Sequence, residues 1–308
     1  MVGAIIVLYH PDEPNLKALL DSLKNQVAAI YLIDNTPFGQ IQYNESYFKN
    51  YSPICIYKSL GNNKGIAKAQ NEGISLAIKK GCTHVLLLDQ DSCPARNMVF
   101  KLIQEETRLK NLGRKVAAVG PLFIEKKGSS SATAIRHKFL HVEKIPILKD
   151  MKEAVETDYI IASGSLISVD ALTEIGLMME ELFIDWVDIE WGLRAKSKGY
   201  SCFITPSTIM KHSIGDEVVF FLGKKINLHS TTRNYYIVRN LAFLLRKNYL
   251  GWNWKGISIL RIPKYIVFYT WKSNHKLNTL KTLIQALYHG LIGKTGAIPN
   301  SIVKKMTP

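Results

Sequence analysis

Cysteine is scarce in this chain. Four residues (Cys55, Cys82, Cys93 and Cys202) are scattered over 308 positions with no C-x-x-C pair. That excludes a disulfide framework and argues against a zinc site, leaving reduced, mostly buried thiols. A chain of this length can bury a sizeable core without staples. Long apolar runs are missing too. No window reaches the ~18 uninterrupted apolar residues of a membrane-crossing helix; the nearest, Ile262 to Trp271, is interrupted by Pro263 and Lys264. The opening Met-Val-Gly-Ala-Ile-Ile-Val-Leu-Tyr has neither the basic n-region nor the cleavage site of a signal peptide and reads as a first core strand. The expectation is a soluble or peripheral protein of the cytoplasm. There is no internal repeat. No G-x-G-x-x-G or G-x-x-x-x-G-K-[ST] occupies a strand-to-helix turn, which argues against a dinucleotide fold or a P-loop nucleotidase.

What is present is positive charge. With 40 Lys and Arg against 25 Asp and Glu, the formal net charge is +15, while 47% hydrophobic and 21% charged residues describe a globular chain. Such a charge favours a polyanionic partner: nucleic acid, an anionic membrane surface or a phosphate-bearing substrate. From Lys211 onward many Lys and Arg and few acids alternate with Trp, Tyr, Phe, Leu and Ile. That is the composition of an interfacial membrane surface. A basic, solvated helical domain has the same composition, and charge alone leaves both open.

Along the chain, apolar runs at Val2–Leu8, Ile30–Ile33, Ile54–Tyr57, Val85–Leu88 and Val116–Gly120 read as buried strands. Leu16, Leu19, Leu20 and Leu23 mark one helix after Pro14, and Ile66, Ala69, Gly73 and Ala77 mark another, which stops at Gly81. Between strand three and that second helix lies the turn Asn62-Asn63-Lys64-Gly65. Sheet character resumes within Tyr159–Val169 around Ser163-Gly164-Ser165, and a helix is expected from about Val187 to Lys198. Lys126–Arg136 reads as a polar, Ser-rich loop, a lid or an insertion. Beyond roughly Ser230 the chain is helical, with a late stripe of Leu277, Leu280, Ile284, Leu287 and Leu291. Strand–helix alternation predicts an α/β fold with a mostly parallel sheet flanked by helices. The expected division is a catalytic domain over 1–230, with a nucleotide-binding half at about 1–125 and an acceptor half at about 126–230. A helical, basic, amphipathic region follows over 231–308.

Ligands bind outside the carboxyl ends of strands in such sheets, and Asp34, Asn35, Asp89 and Asp91 are expected there. His84-Val-Leu-Leu-Leu-Asp-Gln-Asp-Ser92 places two like charges one residue apart directly after a buried strand. A hard divalent cation, Mg²⁺ or Mn²⁺, which takes carboxylate and phosphate oxygens together, would resolve their repulsion; a surface loop in which two aspartates follow a strand by chance has the same pattern. Asp185, Asp188 and Glu190 cluster where a helix begins. They could simply complement its dipole, yet three acids among Phe183, Trp186 and Trp191 also suit a general base with a raised pKa. His212 is a lone histidine, more often structural than a ligand. Arg233 and Arg239 either grip a diphosphate or form an ordinary basic face.

The order of these pieces resembles the family 2 inverting glycosyltransferases with the GT-A (nucleotide-diphospho-sugar transferase) fold. The resemblance rests on Val7-Leu-Tyr-His-Pro11, Asp34-Asn35, Asn62-Asn-Lys-Gly-Ile-Ala-Lys-Ala-Gln-Asn-Glu-Gly73, Leu88-Asp-Gln-Asp-Ser92 and Phe183-Ile-Asp-Trp-Val-Asp-Ile-Glu-Trp191. Together with Tyr235-Tyr-Ile-Val-Arg-Asn240 these are similar to bacterial rhamnosyltransferases of O-antigen and other cell-surface polysaccharides. The resemblance covers about residues 2–245. It implies that Asp34 hydrogen-bonds the pyrimidine of a dTDP- or UDP-sugar, with Asn63 and Gly65 lining the nucleotide pocket and Asn71 supporting it. It further implies Asp89 on ribose or metal, Asp91 on the divalent cation, Asp188 as catalytic base and His212 as a further metal ligand. The position before the base, acidic in most relatives, is Val187 here, so Asp185 and Glu190 stay open as rivals. The acceptor implied is a saccharide, lipid-linked, at the inner face of the cytoplasmic membrane. No nucleic acid is implied, since no recognised binding module is present, and a homo-oligomer is left open.

Overall fold

The computed structural model describes residues 1–41, 43–51, 53–125, 133–138, 141–212, 217–221, 224–228 and 230–306, with the side chains of 125, 211–229 and 304–306 excepted. The chain forms two units. One gathers residues 1–136, 142–179 and 188–213; the other gathers 137–141, 180–187 and 214–308.

The first unit opens with β1 (Val2–Leu8), α1 (Glu13–Leu23), β2 (Ala29–Asp34), β3 (Cys55–Ser59), α2 (Ile66–Lys79) and β4 (His84–Asp89). It continues through β5 (Cys93–Pro94), α3 (Met98–Asn111), β6 (Val116–Glu125), and most of β7 (Thr133–Lys138) and β8 (His141–Pro146), whose adjoining ends fall in the second unit. Then follow β9 (Val155–Thr157), β10 (Ser165–Ser168), α4 (Val169–Ile175), α5 (Val187–Ser197) and β11 (Ser201–His212). Among the described residues one sheet runs β3-β2-β1-β4-β10-β6-β11-β5, with β9 beside β11. β3, β2, β1 and β4 are parallel, and so are β6 and β11. β10 is antiparallel to both its neighbours, which makes the sheet mixed. Of the expected loop at 126–136, residues 126–132 lie outside the described residues and 133–136 belong to β7.

Local chemistry explains the elements. β1 is apolar on both faces and almost wholly buried, as a strand covered by helices on either side must be. Asp12 caps α1 by accepting the Asn15 N–H at 3.0 Å, and Pro14 sits in the first turn. α2 lies very close over the sheet: a Cβ on Gly73 would come within 2.4 Å of Ile5 Cγ2. Register then brings the strand ends level. Leu8 pairs with Asp34, and Val7 with Asp89, so the two carboxylates stand at one edge on either side of β1.

The second unit contains the ribbon β12 (Glu217–Phe221) and β13 (Lys224–Leu228), followed by α6 (Thr231–Leu244), α7 (Trp252–Lys272), α8 (Lys276–Ile292) and α9 (Asn300–Met306). The segment 180–187 packs with them. Asn240 Nδ2 donates to the carbonyls of Leu182, Ile184 and Asp185 at 2.9, 2.7 and 3.0 Å. Phe183 stacks on Tyr236, and the Trp186 indole N–H donates to the Ile237 carbonyl. Phe183, Asp185 and Trp186 all adopt positive φ. Three such non-glycine residues in four are costly backbone, held here by the Tyr-Tyr-Ile-Val-Arg-Asn run of α6.

Candidate active site

The carboxyl ends of β1, β2 and β4 carry the first group of candidate residues. Asp34 is 1% exposed; Oδ1 accepts the Thr36 N–H at 2.9 Å and Oδ2 the Tyr57 hydroxyl at 2.8 Å. Each oxygen keeps a second lone pair. Burial, together with the Asp34 carboxylate, pushes the Tyr57 phenol far above its ordinary range, so it stays a donor. Asn35 and Asn63 join two loops: Asn35 Nδ2 donates to Asn63 Oδ1 at 3.0 Å, and Asn35 Oδ1 accepts the Lys64 N–H at 2.7 Å. Asn63 Oδ1 also accepts the Gly65 N–H at 3.0 Å, and Gly65 turns into α2 at φ +85°. Asn71, buried on α2, exchanges two hydrogen bonds with the Met178 backbone at 2.9 and 3.0 Å.

Asp89-Gln90-Asp91 closes β4, with both carboxylates half-buried. Two features hold this turn, and the sequence reading assigns neither. Gln90 clasps the Tyr9 backbone, accepting its N–H at 2.8 Å and donating to its carbonyl at 3.2 Å. The Asp89 N–H lies against the hydroxyls of Ser92 and Ser163, which bond each other at 2.6 Å in the interior. Gln90 is flagged by standing between the aspartates. Ser163 is recognisable only as part of Ser163-Gly164-Ser165, and Tyr57 carries no local signal.

Asp188 enters from the first turn of α5. It is half-buried; Oδ1 accepts the Ile189 N–H at 2.9 Å and Oδ2 the Ala162 N–H at 3.3 Å. Burial, with a smaller push from the negative charge of Asp89, raises its pKa to about 6 against the pull of its backbone hydrogen bonds. Behind it lies a cavity of about 20 Å³ lined by Gln70, Leu87, Met178 and Trp191 among others. That volume is of the order of one water, far too small for a sugar.

The two rival acids are engaged by guanidinium groups. Glu190 is 0% exposed and pairs with Arg194 at 2.8 and 3.0 Å, while Arg194 also donates to the carbonyls of Ile175 and Leu177. This ties α5 to the end of α4. Asp185, in the second unit, pairs with Arg233 at 3.1 and 3.3 Å. Arg239 is buried and donates to the carbonyls of Glu181, Leu182 and Gly296, so it braces the 180–187 segment.

Asp89 and Asp91 offer hard carboxylate oxygens at one strand end, a donor set suited to Mg²⁺ or Mn²⁺. Among the described residues no group of three His, Cys, Asp or Glu side chains gathers. A cation held by these two carboxylates would therefore complete its shell from a diphosphate and water. The backbone of His212 ends β11, opposite Glu125; its side chain lies outside the described residues.

A sheet whose parallel strands end in Asp34, Asn35, Asp89 and Asp91, with a raised-pKa carboxylate in the same unit, is the architecture of a nucleotide-sugar-dependent transferase. The family model described as "Glycosyl transferase family 2" matches residues 4–176, and the chain belongs to that family. It is 34% identical over 297 residues to dTDP-rhamnosyl transferase RfbF of Shigella flexneri, covering 96% of this chain and 97% of that one. Among solved structures, S. aureus TarS 1–349 in complex with UDP-GlcNAc superposes with a TM-score of 0.58 at 12% identity, covering 99% of this chain and 83% of that one. GalNAc-T7 with UDP, GalNAc and Mn²⁺ gives 0.56 at 14% identity; 87% of this chain is covered, and it spans 55% of that chain. At these identities the solved structures speak for the fold alone, which is GT-A. The chain is a glycosyltransferase by family.

Proposed function

We propose that this enzyme transfers rhamnose from a dTDP-activated donor to a hydroxyl of a saccharide acceptor, in the building of cell-surface polysaccharide of the O-antigen kind. The donor assignment is supported by near full-length similarity to an enzyme named for dTDP-rhamnosyl transfer. The mechanism is carried by one observation: Asp188 is a partly buried carboxylate with its pKa pushed up to about 6, close enough to Asp89 to feel its charge.

In this reading the pyrimidine lies over the Asp34 end of β2, and the Asn35–Asn63–Gly65 network, with Asn71 fixing α2 beneath it, holds the nucleotide loop. Asp188 accepts the proton of the acceptor hydroxyl. The oxygen attacks the anomeric carbon from the side opposite the nucleotide, the bond to the diphosphate breaks, and configuration inverts. Asp89 and Asp91 would hold the divalent cation; when bound, it neutralises charge on the departing diphosphate. Glu190 and Asp185 are each already engaged by a guanidinium, that of Arg194 and that of Arg233. A UDP-sugar is the second reading, favoured by the UDP and UDP-GlcNAc held by solved neighbours of the same fold.

The acceptor in this reading is lipid-linked and the enzyme peripheral on the inner face of the cytoplasmic membrane. In keeping with this, no helix among the described residues is long and apolar enough to cross a membrane. The test is transfer of radiolabel from dTDP-rhamnose, and separately from UDP-sugars, to lipid extracts of polysaccharide-producing cells. Lipid-linked label from dTDP-rhamnose that disappears with Asp188→Asn is expected. Label from UDP-sugars alone would move the reading to the second donor class, and no label from either would overturn it.

A further inference from the structure

The apolar stripe of the last long helix points away from the protein. Leu277 is 74% exposed, and Ile284, Tyr288 and Leu291 are each more than half exposed or at that limit, at 50%, 59% and 52%. The face α8 turns inward is mostly small or polar instead, with Thr279, Thr282, Ala286, His289 and Gly290, and it buries one large aliphatic side chain, Leu283. His289 Nδ1 bonds the Tyr235 hydroxyl at 2.7 Å, and a Cβ on Gly290 would stand 2.3 Å from the Arg239 carbonyl oxygen. α8 thus approaches α6 closely at Gly290 and carries most of its large aliphatic side chains outward, the reverse of an ordinary surface helix. α7, packed on the same two helices, is apolar on both sides. It buries Trp254, Ile257, Ile262 and Ile266 yet exposes Trp252, Leu260, Val267 and Trp271.

Charge sorts with these helices. After Glu217 the chain contains no Asp or Glu, and residues 218–308 hold 15 of the 40 Lys and Arg. The first 217 residues keep the other 25, which balance all 25 acids, so the whole net charge of +15 sits in the last 91 residues. Lysines flank the apolar faces. Lys255 lies over the Trp252 ring and Lys272 over the Trp271 ring, at 5.7 and 4.7 Å, so each end of α7 carries a tryptophan with a cation on it.

We propose that the outward faces of α7 and α8 form a docking surface for an anionic lipid bilayer. Their aliphatic and indole side chains enter the boundary between headgroups and acyl chains, and the lysines meet lipid phosphates. A second copy of the chain is a poor occupant, because it would bring an identical acid-free, cationic face. A nucleic acid answers the charge but gives Leu, Val and Ile nothing apolar to enter. The inference deepens the reading of a membrane-borne acceptor, but it uses no catalytic residue and its test involves no transfer.

The full chain is mixed with vesicles of phosphatidylcholine, with and without phosphatidylglycerol, and sedimented at low and high salt. Two variants accompany it: Leu260→Gln/Val267→Gln/Leu277→Gln/Ile284→Gln, and Lys264→Gln/Lys272→Gln/Lys281→Gln. Oligomeric state without lipid and the melting shift with dTDP are read alongside. The expected result is salt-sensitive binding to phosphatidylglycerol vesicles, weakened at least ~10-fold in the apolar variant and roughly 100-fold in the lysine variant. Both variants should keep the nucleotide shift, which separates a lost surface from a lost fold. Wild-type-like vesicle binding by the apolar variant, or no binding by the wild type, would overturn the proposal. So would an apolar variant whose only change is a dimer becoming a monomer, which would assign the face to a second copy. Loss of the nucleotide shift in the wild type, with vesicle binding intact, would count against the transferase reading and leave the docking surface standing.

Discussion

Asp188 and Glu190 are two residues apart on one helical turn, and their surroundings give them opposite properties. Glu190 meets a fixed guanidinium; Asp188 meets two backbone N–H groups, a small apolar-walled cavity and the charge of Asp89. A carboxyl whose folded pKa is raised to about 6 is favoured in its protonated form. That contribution to stability is full below the ordinary carboxyl range and is lost as pH rises through about 6. Asp188→Asn should therefore lower turnover by ~10²–10⁴ and, at pH 7–8, raise unfolding free energy by on the order of 2 kcal/mol. Rate assays and urea titrations of the same preparations check both; a stability gain without a rate loss would remove Asp188 from catalysis. Wild-type rate should rise with pH through about 6 as the base ionises. Glu190→Gln should behave differently, losing roughly 3–5 kcal/mol of stability because Arg194 is left with a broken buried pair. A melt unchanged in Glu190→Gln would contradict the structural role.

The strand ends were the legible part of the site. Asp34, Asn35, Asp89 and Asp91 are close to apolar runs that could only be buried strands, and register does the rest. The parts that bind those ends together were not legible, because a clasp such as Gln90 on Tyr9 joins positions 81 residues apart. β11 escaped the reading for a local reason: Pro206 and its polar neighbours interrupt the apolar run, and the strand absorbs them in an irregularity between Thr205 and Ile209. The stripe on α8 shows a limit of periodicity, which locates an apolar face and leaves its direction open. Glycine decides the packing of α5 as it does that of α2 and α8. On α5 a Cβ at Gly192 would come within 2.7 Å of the Asp158 carbonyl oxygen. Gly192→Ala should thus push α5, and Asp188 with it, off its seat, costing about 1–3 kcal/mol and lowering transfer. A fully active, undiminished Gly192→Ala would show that the seat tolerates movement.

At the scale of the molecule, the chain is divided by charge as well as by packing. The net-neutral stretch contains every carboxylate assigned to chemistry, and the acid-free stretch contains the outward apolar helices. Composition announced the cationic end, and the family resemblance announced the transferase; neither says which nucleotide the enzyme accepts. A melting panel with dTDP, UDP, GDP and CDP, each with and without Mg²⁺ or Mn²⁺, reads that choice. A ligand at 100 times its Kd adds about 2.7 kcal/mol to the folded state. dTDP is expected to raise the midpoint most, the rise to depend on the cation, and Asp91→Ala to remove this dependence. A midpoint unmoved by every nucleoside diphosphate, with or without cation, would contradict this expectation.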